Sequence, residues 1–255
     1  MLVAVDIGNT NITIALFNEE KVTHSYRLTT KMQRTSDEFG LMIMSFINQA
    51  GKSLEDVEDV IISSVVPKIM HSFNNAIRKY LKKEPIIIGP GIKTGINVKT
   101  DNPSAVGADR IVDLAGAYYY YGKKEAIVID FGTATTFDYI SKDGTFRYGV
   151  TAPGLEITAQ ALSSQAAKLP EIEIKKPDSI LGTNTISSMQ AGTVYGYIGL
   201  SEYIIKKMKE ELHCEPIVIA TGGLGRIIYE NTDLIDVYDR DLTFKGLKLI
   251  YDKNK

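Results

Sequence analysis

The feature of this 255-residue chain that most restricts its fold is a short pattern that occurs twice. The two copies read VAVDIGNTN at residues 3–11 and IVIDFGTAT at residues 127–135, so the aspartates Asp6 and Asp130 lie 124 residues apart. Each copy is an apolar run that ends in an aspartate and is followed by a glycine, short polar residues and a second β-rich run. The repetition predicts a strand–turn–strand unit that is used once in each half of the chain.

Strand-like and helix-like segments alternate after each copy. The strand-like segments cover residues 22–28, 60–66, 85–88, 146–150 and 217–220, and the helix-like segments cover residues 35–50, 68–83 and a long stretch ending near 212. Thr35 followed by Glu38 forms a capping box that predicts where the first helix begins. The alternation favours an α/β class with mixed sheets.

We place a domain boundary in the helical segment 111–121, which gives two domains, residues 1–115 and 116–255, with a cleft between them. Four consecutive tyrosines, residues 118–121, end this segment. Aromatic side chains on all sides of a helical turn favour packing against another element or another subunit over stacking on a ligand.

Composition indicates a small-molecule partner. Lysine and arginine total 29 against 31 acidic residues, for a net charge of −2, so the chain lacks the basic surface typical of nucleic-acid or membrane binding. The single cysteine, Cys214, has no partner for an internal disulfide, and the three histidines show no metal-ligand spacing. With no export segment or membrane-length apolar run, we expect a cytoplasmic protein.

The aspartate hairpins suit phosphate chemistry of an uncommon kind. The chain has no Walker phosphate loop and no Rossmann glycine fingerprint. Glycine in a hairpin lets a bulky anion approach the backbone amides. An aspartate beside phosphate needs an intervening cation, so Asp6 and Asp130 are candidates to hold a metal ion or its bound waters. The alternative is that Asp-x-Gly is ordinary turn chemistry.

A third loop, Gly222 and Gly223 after the strand at residues 217–220, precedes a short helical segment. Its glycines suit a nucleoside lying against the backbone, although paired glycines after a strand also make simple turns. Two aspartate–glycine hairpins followed by such a loop resemble the actin, sugar kinase and heat-shock ATPase superfamily. That resemblance implies two ribonuclease-H-like domains that bind ATP between them.

A further motif, NPSAVGADRIV at residues 102–112, resembles the signature of the type III pantothenate kinases. The resemblance extends over essentially the whole chain. It implies transfer of the γ-phosphoryl group of ATP to pantothenate, giving 4'-phosphopantothenate in the first step of coenzyme A biosynthesis. It also implies Mg²⁺ with the nucleotide, a monovalent cation (K⁺ or NH₄⁺) and a homodimer.

Residue roles follow from the same resemblance. Asp109 is the proton acceptor, Asp130 binds the monovalent cation, and Asp6 holds Mg²⁺ through phosphate or water. The ATP-binding residues are Asp6, Ile7, Gly8, Asn9, Thr10, Asn11, Ile12, Thr13, Thr133, Gly222 and Gly223. The substrate-binding residues are Thr100, Gly107, Ala108, Asp109, Arg110 and Thr185.

Two of these residues also fit a purely structural role. Asp109 is placed to pair with Arg110 or to cap the helix that follows, and Thr185 is placed to cap a helix of its own. The chain departs from the family pattern at Thr100, where a tyrosine is expected, and at Tyr148, where a glycine is common. A kinase for another small hydroxy acid and a non-catalytic nucleotide-binding regulator are the competing functions.

Overall fold

The computed structural model describes all 255 residues, Met1–Lys255. The strands are β1 (Leu2–Ile7), β2 (Asn11–Asn18), β3 (Lys21–Thr29), β4 (Asp59–Ser64), β5 (Ile86–Ile87), β6 (Asn97–Val98), β7 (Ala126–Phe131), β8 (Ala134–Ile140), β9 (Thr145–Pro153), β10 (Ile217–Thr221) and β11 (Val237–Tyr238). The helices are α1 (Ser36–Gln49), α2 (Pro67–Ala76), α3 (Ala108–Tyr120), α4 (Leu155–Gln165), α5 (Thr185–Leu212), α6 (Gly225–Tyr229) and α7 (Leu242–Asn254).

The chain divides into two compact units. The first contains Met1–Ile96, Asp101–Gly116 and Asp241–Lys255, and the second contains Asn97–Thr100 and Ala117–Arg240. The predicted domains, residues 1–115 and 116–255, stay a prediction. None of the helices combines the length and the hydropathy needed to cross a membrane.

Each unit is built on a mixed sheet. The first sheet has the order β3-β2-β1-β4-β5, and the second has β11-β10-β7-β8-β9 with β6 added beyond β9. In the first sheet, β1, β2 and β3 are antiparallel neighbours, and β4 and β5 run parallel to β1. In the second sheet, β7, β8 and β9 are antiparallel neighbours, and β10 and β11 run parallel to β7. The second sheet therefore repeats the order of the first, which confirms the predicted α/β class and the repeated strand–turn–strand unit.

Strand β1 shows why the sheet of the first unit is buried on both faces. Val3, Val5 and Ile7 lie in a cluster with buried side chains of α1 and α2, whereas Leu2 and Ala4 lie in a second cluster with side chains of α3 and α7. Successive strand side chains point to opposite faces, so a nearly continuous apolar run is what a strand covered on both sides requires.

The N-terminal ends predicted for the first two helices are confirmed. The Thr35 hydroxyl accepts from the Glu38 N–H at 3.3 Å, and the Glu38 carboxylate accepts from the Thr35 N–H at 2.7 Å, which completes the capping box of α1. The helix predicted over 68–83 begins at Pro67 and ends in one π-helical turn, Ile77–Leu81.

The tyrosine run packs against other elements of the second unit. The Tyr118 hydroxyl donates to the Lys142 carbonyl at 3.1 Å, and the Tyr121 hydroxyl donates to Asp239 Oδ2 at 2.7 Å. Tyr120 is 46% exposed. Packing against another element is therefore confirmed for two of the four rings.

Candidate active site

In the first unit, the turn between β1 and β2 forms a tight hairpin. The Gly8 N–H donates to the Asn11 carbonyl at 2.9 Å and closes a loop in which Asn9 is exposed. Asp6 is the last residue but one of β1, and its register neighbours are Thr13 on β2 and Ser63 on β4. The hairpin thus places an aspartate directly before an open loop of backbone amides.

A second carboxylate of the same unit acts on Asp6. Burial, followed by the charge of Asp109, raises the pKa of Asp6 to about 7, with a smaller opposing effect from the Ser63 side chain. Asp6 Oδ1 is enclosed and has no hydrogen-bond partner. Two carboxylates in one desolvated site do not both ionise readily, so Asp6 releases its proton at a higher pH than an ordinary aspartate.

The start of α3 positions Asp109. The side chain lies in the first turn of the helix, and Asp109 Oδ1 accepts from the backbone N–H of Arg110 at 2.8 Å. Burial raises the pKa of Asp109, while that N–H and the guanidinium charge of Arg110 act in the opposite direction. The contact to the first-turn N–H matches the alternative in which Asp109 stabilises the helix start, and it also fixes the orientation of the carboxylate.

Residue 107 must be a glycine, because the Asp109 carboxylate lies where a side chain of residue 107 would be. A Cβ at residue 107 would lie 2.4 Å from Asp109 Oδ1 and 3.3 Å from Val65 Cγ1. A side chain there would crowd the Asp109 carboxylate and Val65 at the same time. The glycine of the Gly-Ala-Asp-Arg motif therefore has a steric role that the sequence pattern does not explain.

In the second unit, three glycines surround the second hairpin and its aspartate. A Cβ at Gly132 would lie 3.2 Å from Asp130 Oδ2, and a Cβ at Gly222 would lie 2.6 Å from Asp130 Oδ1. A Cβ at Gly154 would lie 2.3 Å from the Gly132 carbonyl oxygen. Strand β10 lies parallel to β7 with Thr221 opposite Asp130, which brings the predicted third loop to the predicted second hairpin.

Tyr197, on α5, is a residue of this region that the sequence analysis missed. Its buried hydroxyl lies 2.7 Å from the Pro153 carbonyl and 2.5 Å from Thr135 Oγ1. A carbonyl only accepts, so the Tyr197 proton goes to Pro153 and the Thr135 hydroxyl donates to Tyr197. No local sequence signal distinguishes this tyrosine from other helical aromatic residues.

Helix α5 begins at Thr185, but Thr185 does not cap it. The cap is Asn184, whose Oδ1 accepts from the Ser187 N–H at 2.9 Å, so the predicted capping role of Thr185 is wrong. Thr185 instead lines a cavity of about 580 Å³ in the second unit. The other lining residues include the apolar side chains of Leu162, Leu169 and Met189.

The two positions that depart from the expected pattern differ in environment. Thr100 Oγ1 is enclosed and has no hydrogen-bond partner. Tyr148 is 57% exposed, and its ring stacks on that of Tyr139 with the centroids 6.5 Å apart. Both residues belong to the second unit.

The carboxylates do not form a self-sufficient metal site. No group of three or more His, Cys, Asp or Glu side chains is arranged to hold a metal ion. Mg²⁺ in nucleotide sites typically takes one or two carboxylates and keeps phosphate and water as its other ligands. The unpartnered Oδ1 of Asp6 fits that demand, because it is one hard oxygen that no hydrogen-bond donor of the protein occupies.

Two sheets of the same strand order, each with an aspartate ahead of its first hairpin, define a protein with the ribonuclease-H-like fold of the actin-like ATPases. A solved structure from Sinorhizobium meliloti, named as a candidate 2-dehydro-3-deoxygalactonokinase, shares the fold with a TM-score of 0.61. Its identity is 12%, and the match covers 100% of this chain and 99% of that chain.

Sequence comparison narrows the class. The model of the type III pantothenate kinase family matches residues 2–207. The type III pantothenate kinase of Agathobacter rectalis is 55% identical over 99% of this chain and 97% of its own length. The type III pantothenate kinase of Bifidobacterium longum subsp. infantis is 51% identical over 100% of this chain and 99% of its own length. The chain belongs to the type III pantothenate kinase family.

Proposed function

We propose that Asp109 orients and deprotonates the acceptor hydroxyl in the reaction of this enzyme family, the ATP-dependent phosphorylation of pantothenate to 4'-phosphopantothenate. That reaction, the first step of coenzyme A biosynthesis, is the function of this kinase. The observation that supports the role of Asp109 is its fixed carboxylate, which is held by the Arg110 N–H at 2.8 Å and lies against Gly107.

The chemical step assigned to Asp109 conserves atoms and charge. The acceptor oxygen forms a bond to the γ-phosphorus while the bond from that phosphorus to the β,γ-bridging oxygen breaks, and ADP leaves. The hydroxyl proton moves to a carboxylate oxygen of Asp109. Because such transition states are loose, orientation of the hydroxyl contributes at least as much as basicity.

The ATP phosphates are assigned to the hairpins. Residues 6–13 of the first unit offer backbone amides and short polar side chains, and Thr133, Gly222 and Gly223 of the second unit are also assigned to ATP. Mg²⁺ supplies charge neutralisation when bound, and Asp6 would hold it through phosphate or water. The enclosed, unpartnered Oδ1 of Asp6 supports this assignment.

The monovalent cation, K⁺ or NH₄⁺, is assigned to Asp130. The two carboxylate oxygens of Asp130 lie against glycines, Gly132 and Gly222, where an added Cβ would crowd them. Carboxylate and carbonyl oxygens are suitable ligands for such a cation. A strict requirement for K⁺ or NH₄⁺ that Asp130→Asn abolishes would support this role.

The acceptor contacts are assigned to the remaining family positions. Arg110 is suited to a bidentate pair with the pantothenate carboxylate, a geometry that a lysine does not reproduce. Gly107 and Ala108 bring the backbone close to the acceptor. Thr100 and Thr185 supply hydroxyls, and the enclosed, unpartnered Oγ1 of Thr100 and the cavity beside Thr185 support their inclusion. We also propose a homodimer located in the cytoplasm.

The deciding experiment measures ATP consumption with pantothenate as acceptor, with Mg²⁺ and with K⁺, NH₄⁺ or Na⁺. Removing the base lowers kcat by about 10²- to 10⁴-fold, so Asp109→Asn is expected to lose that much activity while it still binds ATP. An Asp109→Asn enzyme with near-wild-type kcat would remove Asp109 from the chemistry. Turnover only with another hydroxy acid would change the acceptor, and ATP binding without any turnover would favour a regulator.

A further inference from the structure

Thr30, outside every recognised motif, contacts the first hairpin twice. It follows β3 directly and is buried. Its Oγ1 donates to the Gly8 carbonyl at 2.8 Å, and its backbone N–H donates to the Thr10 carbonyl at 2.9 Å. Two of the hairpin's carbonyls are therefore turned toward one residue.

These bonds determine which way the hairpin's amides point. All peptide bonds of the chain are trans, and in a trans peptide the C=O and N–H point in opposite directions. With the Gly8 carbonyl directed at Thr30, the N–H of Asn9 points away from Thr30. The Gly8 N–H is already used by the Asn11 carbonyl, so of the amides of Gly8 and Asn9 it is the Asn9 N–H that this arrangement directs away from Thr30.

The direction matters because the two ends of a peptide act oppositely on an anion. Backbone N–H groups attract phosphate, whereas carbonyl oxygens repel it. If the Gly8–Asn9 peptide rotated, the phosphates would meet a carbonyl oxygen instead of an N–H. Glycine permits such a rotation at little steric cost, so the residue before this peptide does not prevent it.

In the second hairpin a backbone carbonyl is also held by a hydrogen-bond donor, but the donor is a different group. The Thr133 carbonyl accepts from the Gly154 N–H at 3.1 Å, and the preceding Pro153 carbonyl is bound by Tyr197. A carbonyl at each turn is therefore occupied by a donor from outside the hairpin. In the first hairpin that donor is a side-chain hydroxyl, which a single substitution removes.

We infer that Thr30 is a positioning residue that holds the Gly8–Asn9 peptide with its N–H directed at the phosphates of ATP. The inference depends on the proposed function, because it takes the hairpin as the phosphate site. Thr30 acts through Gly8 and contacts no substrate itself. Its loss should therefore weaken ATP binding and leave the acceptor side unchanged.

The test compares Thr30→Val with Thr30→Ser. Valine keeps the shape of the side chain and removes the hydroxyl, while serine keeps the hydroxyl. The matched control is Thr23→Val, which removes the hydroxyl of β3 that donates to the Leu16 carbonyl at 3.0 Å. Steady-state kinetics with ATP and pantothenate varied separately are combined with thermal unfolding of each variant.

Thr30→Val is expected to raise KM for ATP about tenfold, the effect of one hydrogen bond, with KM for pantothenate within about twofold of wild type. Thr30→Ser should restore KM for ATP, and Thr23→Val should leave it unchanged. If Thr30→Val does not fold, it is replaced by Thr30→Ala, because alanine avoids crowding. The same changes in the two KM values are expected for that variant.

Equal KM values for ATP in the Thr30→Val, Thr23→Val and wild-type enzymes would overturn the role of Thr30. So would a Thr30→Ser enzyme as impaired as Thr30→Val. Failure of the proposed function would look different, because the wild type would then not consume ATP with pantothenate. In that case, calorimetric titration of Mg-ATP into the wild type and Thr30→Val still decides the inference: equal affinities refute it, and a roughly tenfold loss supports it.

Discussion

Replacing Gly107 with alanine should damage catalysis far more than folding. A Cβ at this position would lie 2.4 Å from Asp109 Oδ1, and ordinary contact begins at about 3.4 Å. The carboxylate must therefore retreat by about 1 Å, and Val65 Cγ1, at 3.3 Å from the same Cβ, is a second tight contact of the methyl group. A misplacement of about 1 Å in a catalytic group can cost about 10²-fold in rate, so we expect kcat to fall about 100-fold.

Stability should change little in the same variant. Gly107 does not occupy the left-handed region, so alanine adopts its backbone conformation without strain. Alanine in place of glycine also restricts the unfolded chain, a favourable effect of about 0.4–1 kcal/mol that offsets the displaced carboxylate. The free energy of unfolding should stay within about 1 kcal/mol of wild type.

The assay is kcat with saturating ATP and pantothenate, together with urea unfolding of the same preparations. Gly89→Ala is the matched control, because its Cβ would meet no atom within 4 Å and Gly89 also avoids the left-handed region. Near-wild-type kcat in Gly107→Ala would refute the claim that Gly107 fixes the position of the carboxylate. An equal loss in Gly89→Ala would show that any added methyl group is harmful.

Two further substitutions test the aspartate hairpins. Because the pKa of Asp6 is about 7 in the folded protein and 3.8 in the unfolded chain, the native state keeps a proton that the unfolded chain releases, and stability falls as pH rises through that interval. Asp6→Asn removes this loss, so its Tm relative to wild type should increase from about pH 4 to about pH 8; a difference independent of pH would contradict the raised pKa. Gly222→Ala forces a left-handed φ of +92° on alanine and places Cβ 2.6 Å from the Phe131 carbonyl, so it should lower the free energy of unfolding by about 2 kcal/mol, whereas Gly223→Ala, with open space around it, should not. Equal stability of these two variants in urea would contradict the contact.

Much of the fold was predictable because its signals are local or repeated. The two aspartate hairpins differ in sequence but share the order of apolar, acidic, glycine and polar residues, and the structure builds the same strand order on each. The capping box at Thr35 depends on two residues three positions apart, so a short window contains all the information. Family membership likewise follows from motifs that can be read in order along the chain.

The sequence also identified residues whose proximity in the fold it does not explain. It selected Asp6 and Asp109, but it did not predict that the charge of Asp109 raises the pKa of Asp6. That effect arises only because α3 packs beside β1. It indicated Thr185 as a candidate cap, yet Asn184 has that role in the structure. Neither outcome depends on the residue type alone, because side-chain reach and helix register decide both.

What the sequence alone determined is therefore the class, the family and the repeated hairpin, since these depend on residue order and on hydrophobic period. Only the tertiary structure decided that Gly107 and Gly222 lie against carboxylates, that Thr30 turns the first hairpin's carbonyls, and that Tyr197 holds Pro153. Apart from Gly107 and Asp109, which are two residues apart, these contacts join segments far apart in sequence. Their distances are set by strand register and helix packing, which no short window of residues encodes.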